Sequence, residues 1–270
     1  MGLLVVVALF AGWIAPGPPF AFGFPGASPP SGAHLFGTDF FARDMLYLTT
    51  RGIRTTLTVV AVVMAVSLPV GGLLGLTAGY FGGATDAVIT RVAELFQAVP
   101  RFFLALAAIA VFGPGIDKLI IILSVTSWPF LCRTLRAETL SLKQRSFVTA
   151  AQAAGAAAPR TVARHIVPHV LPRALVVLML MGSRLILIEA GLAFLGLGDR
   201  GNPSLGVLVS EAQPYLRDAW WLSVFPGLAL VVMALGLNLL SDGLGRSLEI
   251  GTGTRPATRG WSPTPARAAL

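Results

Sequence analysis

An all-α membrane protein of about six transmembrane helices, with a cytoplasmic loop between the fourth and fifth, is the fold this sequence predicts. Three observations predict it. Of 270 residues, 55% are hydrophobic and 12% charged, with mean hydropathy +0.78, whereas a soluble domain carries about 25% charged residues. The apolar residues come in blocks near 3–15, 56–79, 88–112, 117–132, 172–197 and 219–241, and a spanning helix needs about 20 in succession. The net charge of +8 is gathered in one place. Segment 133–173 holds Arg133, Arg136, Lys143, Arg145, Arg160, Arg164 and Arg173 against Glu138. Basic loops mark the cytoplasmic side, so topology accounts for the charge and nucleic-acid binding is not needed to explain it.

The second, third, fifth and sixth runs are long enough to span. The fourth is short, but Ile120 to Leu131 with Trp128 and Pro129 makes a tilted or protein-buried span. The first, Leu3 to Ala15, is shorter still, and no basic residue precedes it as a signal peptide would require. It is read as a real first span whose cytoplasmic end precedes the printed start. Six spans then place both termini in the cytoplasm beside loop 133–173. The tail agrees, with Arg246, Arg255, Arg259 and Arg267 against Glu249. On the other side, segment 16–54 sets Arg43, Arg51 and Arg54 against Asp39 and Asp44. Segment 198–218 sets Arg200 and Arg217 against Asp199, Glu211 and Asp218. Trp220 and Trp221 open the last span, where interfacial aromatics belong. The Pro- and Gly-rich stretch 16–36 reads as irregular, and 251–270 as a disordered tail. The organisation is therefore residues 1–54 for the first span and an extracytoplasmic loop, 55–250 for the membrane core, and 251–270 for the tail. The single cysteine, Cys132, excludes an internal disulfide.

Within the basic island, Ser146 to Ala158 is mostly Ala, Gln, Val and Gly. Alanine favours a short helix. Gly155 can supply the left-handed residue that ends it, and Pro159 suits the first turn of the next element. Small side chains at 150, 151, 153 and 154 would let a partner surface approach closely, as for a helix seated in a groove. On residue chemistry alone, a docking helix and an ordinary linker fit equally well.

The island resembles the cytoplasmic loop of binding-protein-dependent ABC transporter permeases. The family pattern is Glu-Ala-Ala, three residues, Gly, then an Ile-x-Leu-Pro-like close; here it reads Thr149-Ala150-Ala151, Gly155, then Ile166-Val167-Pro168. Thr149 stands where Glu is usual. GTDFFARD at 37–44 resembles the Gly-Thr-Asp-x-x-Gly-Arg-Asp signature before the second span, with Ala42 in place of the second Gly. AGYFGG at 78–83, FGPG at 112–115, TSWPFLCR at 126–133, EAGLAFLGLG at 189–198, AWWLSVFPGLAL at 219–230 and NLLSDGLGRSLE at 238–249 extend the likeness along the chain. The subgroup they resemble is the second permease of dipeptide, oligopeptide and nickel importers.

That resemblance implies half of a translocation pathway in the cell's inner membrane. It implies a second, homologous permease, two cytoplasmic ATPase subunits and an extracytoplasmic solute-binding protein as partners. The loop, about 133–171, would hold a coupling helix, with Thr149, Ala150, Ala151, Gly155, Ile166 and Pro168 meeting an ATPase. No Gly-rich loop followed by Lys-Ser or Lys-Thr occurs. The expectation is that ATP and Mg are bound by partner subunits, with no cofactor, metal or catalytic residue on this chain. Which solute is carried is not readable here.

Ionisable residues inside spans are costly and face a cavity or one another. Glu94 and Arg101, two turns apart in the third run, and Arg184 and Glu189 in the fifth, are of this kind. Glu94, Arg184 and Glu189 are candidates for the translocation path, against a plain reading as helix-to-helix ion pairs or groups reaching interfacial water. His165 and His169 have metal-ligand spacing, but no third ligand accompanies them, and loop histidines are the better reading. An ion-coupled secondary transporter, working without an ATPase, is the principal rival. The docking-like loop and the shortage of buried carboxylates weigh against it. A membrane-embedded enzyme would need a cluster of His, Asp or Ser at one depth, which is not found.

Overall fold

A computed structural model describes residues 26–251. The run at 3–15 and residues 252–270 lie outside the described residues, so the first span and the tail are not addressed by it.

The longest helix, α1 (Met45–Phe81), has 37 residues and extends about 55 Å at 1.5 Å per residue. That exceeds the roughly 30 Å hydrocarbon layer. It starts where Asp44 accepts the backbone N–H groups of Leu46 and Tyr47 at 2.8 and 3.2 Å, an N-cap in the usual sense. Next come α2 (Gly83–Ala98) and α3 (Arg101–Phe112). They are followed by α4 (Ile116–Lys143), the short α5 (Ser146–Ala153) and the single turn α6 (Ala158–Thr161). A π turn at Val162–Ile166 leads into α7 (Val167–Leu192), which ends in a second π turn, Ala193–Leu197. The last helices are α8 (Leu205–Ala212) and α9 (Trp221–Gly251).

Four of these elements, α1, α4, α9 and the stretch running through α6 and α7, are long and apolar enough to cross a membrane. The α2–α3 pair makes a fifth if its two arms form one span. The run at 88–112, read as one helix from the sequence, is in fact broken. α2 and α3 meet at 70°, because Pro100 has no N–H to donate and drives Val99 to an extended ψ of 125°. Glu94 and Arg101 consequently do not share a helix face. The fourth run looked short because α4 continues with a polar face eleven residues beyond Cys132, to Lys143.

Packing follows the small residues. Gly71, Gly75 and Gly79 lie one turn apart on α1 and bring its backbone onto α4. A Cβ at Gly75 would fall 2.6 Å from the Cys132 carbonyl oxygen, and one at Gly71 2.7 Å from that of Trp128. Such small-residue seams are how helices approach where the hydrophobic effect offers little drive. Along the seam, Val59, Val60 and Val63 of α1, Leu119, Leu123, Leu131 and Leu135 of α4, and Leu185 and Ile186 of α7 form one buried core. The opposite faces of the helices expose Leu73, Ile121, Leu228, Leu235 and Leu239, as membrane-facing helices do.

The helix ends gather at two ends of the bundle. At one, Tyr80, Lys143 and residues 144–166 come together. At the other lie residues 26–44 and 198–220. There Trp221 donates through Nε1 to the Thr38 carbonyl at 3.1 Å, and Arg43 reaches Asp39 at 2.5 Å and Glu211 at 3.3 Å. Trp220 of the expected interfacial pair is exposed, and Trp221 is buried. Asp39, Arg43 and Asp44 do pair at this rim, Asp44 with His34 at 2.8 Å.

Candidate coupling site and the polar residues of the spans

The basic loop builds a short protruding helix on buried anchors. Val148 of α5 and Ile166 in the first π turn are both wholly buried. They fix the loop to the bundle while the residues between them turn outward. Thr149, Ala150, Gln152, Ala153, Ala154 and Gly155 are exposed, and Ala151 is half-buried. The helix ends in a Schellman motif: Ala156 N–H donates to Ala151 O at 3.1 Å and Gly155 N–H to Gln152 O at 2.9 Å. Gly155 carries φ +81°, which β-carbon sterics disfavour for other residues. Space does not impose the glycine, since nothing lies within 4 Å of the position its Cβ would take.

Of the residues the sequence assigned to coupling, Thr149, Ala150, Ala151 and Gly155 thus lie on one protruding element. Ile166 is an internal anchor, and Pro168 is exposed at the start of α7. The Thr149 hydroxyl donates to Ser146 O at 3.0 Å, within its own helix. His169 donates from Nδ1 to the His165 carbonyl at 2.9 Å and stacks on Phe147, ring centres 5.1 Å apart. Two ties run from this element to the end of α1. Lys143 Nζ donates to the Tyr80 carbonyl at 2.6 Å, and Gln152 Nε2 to the Tyr80 hydroxyl at 3.3 Å. Arg136 clasps Asp86 with two hydrogen bonds, binding α4 to α2.

The span residues separate into two kinds. Glu189 is buried at 1% exposure. Its Oε2 accepts from Thr56 Oγ1 at 3.1 Å, and Thr56 in turn accepts Leu205 N–H at 3.3 Å. One carboxyl therefore pins α7, α1 and α8 together. Its other oxygen and the Ser204 hydroxyl are also buried, and Ser204 interacts with the Glu189 carboxyl. Glu94 and Arg184 face outward instead. Glu94 is exposed and paired with Arg91 at 3.3 Å, and Arg184 lies over the Phe130 ring, 5.4 Å from its centre.

Residues 71–251 match the family described as binding-protein-dependent transport system inner membrane component. The match takes in the α1 glycine seam, the broken α2–α3 pair, the protruding loop and both π turns. The chain belongs to this family. Among its relatives, the di/tripeptide transport system permease protein DppC of Pseudomonas aeruginosa is 35% identical over 257 residues, covering 92% of this chain and 85% of that one. The dipeptide permease DppC of Alkalihalophilus pseudofirmus is 34% identical over 221 residues, 82% of this chain and 73% of that one. The oligopeptide permease OppC of Haemophilus influenzae is 35% identical over 219 residues, 81% and 70%. In fold, the chain is similar to the inward-facing MetNI methionine ABC transporter, with TM-score 0.65, 18% identity, and coverage of 76% of this chain and 97% of that one.

For a permease of this family, sequence reading missed two structural participants. α8, with Leu205, Gly206, Val207 and Leu208 buried, caps the bundle over Glu189, yet its apolar stretch is far too short to register as a span. Tyr80 was visible only as part of a motif. Its role as the receiver of Lys143 and Gln152 depends on pairing across 63 and 72 positions.

Proposed function

We propose that this chain is one permease subunit of an ATP-driven importer of di- or oligopeptides and that α5 is its coupling helix. The peptide assignment rests on the relatives, several of which are named as dipeptide, di/tripeptide or oligopeptide permeases. The observation that carries the coupling role is the protruding α5. Its outward face is built of small side chains and ends in the Gly155 Schellman turn, and its inner face is anchored by Val148 and tied to Tyr80.

In this reading the end carrying residues 144–166 is cytoplasmic, with both chain termini on that side, in accord with its Arg145, Arg160 and Arg164. Thr149, Ala150, Ala151 and Gly155 meet a cytoplasmic ATPase; Ile166 and Pro168 set the angle at which the loop re-enters the bundle. A second permease completes the pathway, and an extracytoplasmic binding protein delivers solute to the rim formed by residues 26–44 and 198–220. Two ATPase subunits bind ATP and Mg. This chain is not itself an enzyme and works by moving: partners that contact α5 differently in their ATP-bound and ATP-free states shift the bundle between its conformations.

Affinity purification in mild detergent tests the reading. A second permease and P-loop ATPases should accompany the tagged chain. A chain that purifies alone and transports in liposomes without ATP would overturn it in favour of an ion-coupled transporter.

A further inference from the structure

In the wall formed by α3, α4 and α7, Glu138 of α4 is paired with Arg173 of α7 at 3.4 Å and Asp117 with Lys118, which leaves two cations of α3 and α7, Arg101 and Arg184, with no acid to match them among the described residues. Arg184 stands exposed on α7, its guanidinium over Phe130 of α4. Arg101 opens α3 at the Pro100 break, half-buried and within Coulombic reach of Arg184. No ion pair among the described residues involves either one. Glu94 is taken by Arg91. Glu189, five positions beyond Arg184 and so on another face of α7, is enclosed against Thr56.

Depth makes this arrangement costly unless something answers it. Arg184 lies about 12 Å from the Leu192 end of α7 at 1.5 Å per residue, inside a hydrocarbon layer roughly 30 Å thick. A charge there has to face water, protein or a counter-charge rather than acyl chains. Two like charges repel each other as well, and the first turn of α3 adds the positive end of its dipole at the same place. All three features favour an anion in front of this wall.

We infer that Arg101 and Arg184 form a carboxylate-binding station on the translocation path, receiving the C-terminal carboxylate of a passing peptide. The assignment rests on the peptide-importer reading for its substrate, but not for its charge. A guanidinium offers a planar fork of donors suited to a carboxylate. Phe130 beneath Arg184 holds that fork against a ring face. The break at Pro100 is what allows Arg101 to sit at the tip of a helix rather than along one.

Two measurements on the complete transporter in liposomes, with its binding protein, test this. The first is uptake per ATP hydrolysed of trialanine and of its C-terminal amide. Arg184→Gln and Arg101→Gln should each lower trialanine uptake about tenfold, the effect of removing one unit charge about 3 Å away in a water-filled path, and leave the amide unchanged. Arg184→Lys should retain most activity. Equal losses for acid and amide would show a structural role and overturn the station, as would no loss for either. The second measurement does not depend on the substrate. Leu187→Cys, exposed three positions from Arg184, is placed in a Cys132→Ala background and treated with anionic and cationic thiol reagents. The anionic reagent should react about tenfold faster, and Arg184→Gln should abolish that preference. Equal rates, or no reaction with either, would sink the proposal. Charge-selective labelling in a transporter that moves no peptide would retain the anion station and reject peptides as its cargo.

Discussion

Ala42 has a positive φ of 56° in a loop where the related signature has glycine. A β-carbon in the left-handed region costs about 1–2 kcal/mol. A glycine there would instead lose about 0.5–1 kcal/mol through the freer unfolded chain. The first effect is the larger, so Ala42→Gly should stabilise by roughly 0.5–1 kcal/mol, seen as a higher thermal midpoint in detergent. An unchanged or lower midpoint would mean the loop relaxes around Ala42 at little cost. Gly155 poses the same question with the opposite sign. Val and Asn differ little in bulk, but Asn tolerates positive φ far better. Gly155→Val should reduce uptake severalfold with ATP hydrolysis maintained, while Gly155→Asn should keep at least half of it. If both variants transport normally, the Schellman turn does not shape the docking surface.

Among the elements, the α1–α4 seam depends on three glycines, Gly71, Gly75 and Gly79, that have no room for a side chain. Gly75→Leu would push a side chain into the Cys132 carbonyl and the Leu135 Cβ, 2.6 and 3.1 Å from its own Cβ position. Overpacking of this sort costs about 1–3 kcal/mol. Lower yield of assembled protein and a lower melting point should follow, whereas Gly72→Ala, with Leu135 Cδ1 at 3.8 Å, should be tolerated. The spans themselves were legible because membrane helices must be apolar over a fixed length. What stayed hidden came from three other causes. The Pro100 break was masked by the apolar residues on either side of it. The polar continuation of α4 beyond Cys132 looked like loop because hydropathy falls where a helix leaves the bilayer. The buried α8 was too short to register. Of the candidate site, the outward-facing Ala150 and Gly155 were readable from helix propensity and the glycine break, and Thr149 only from the likeness to the family's loop pattern. The inward anchor role of Ile166 and the Thr56–Glu189 bond were not, because both depend on contacts distant in sequence.

For the molecule as a whole, the question is how a push on α5 reaches the far rim. α5 follows α4 after only Gln144 and Arg145, so α4 is one route. The second is Tyr80, which takes a hydrogen bond from Lys143 on its carbonyl and one from Gln152 on its hydroxyl. From Tyr80, α1 runs unbroken to Met45, passing Thr56, which holds Glu189 and the start of α8. The chain of contacts is continuous from α5 to the cap over the bundle. Lys143→Met keeps most of the unbranched side chain and removes its donor, so it weakens the Tyr80 route while leaving α4 intact. If α1 carries the motion, this variant should lower uptake per ATP severalfold while leaving assembly with the ATPases intact. Arg91→Met, which breaks an exposed pair worth about 0–1 kcal/mol, is the matched control and should change neither. Full coupling in Lys143→Met and also in Lys143→Met combined with Gln152→Ala, which removes both bonds to Tyr80, would leave α4 alone as the lever, and the Tyr80 contacts would then serve only to seat the loop.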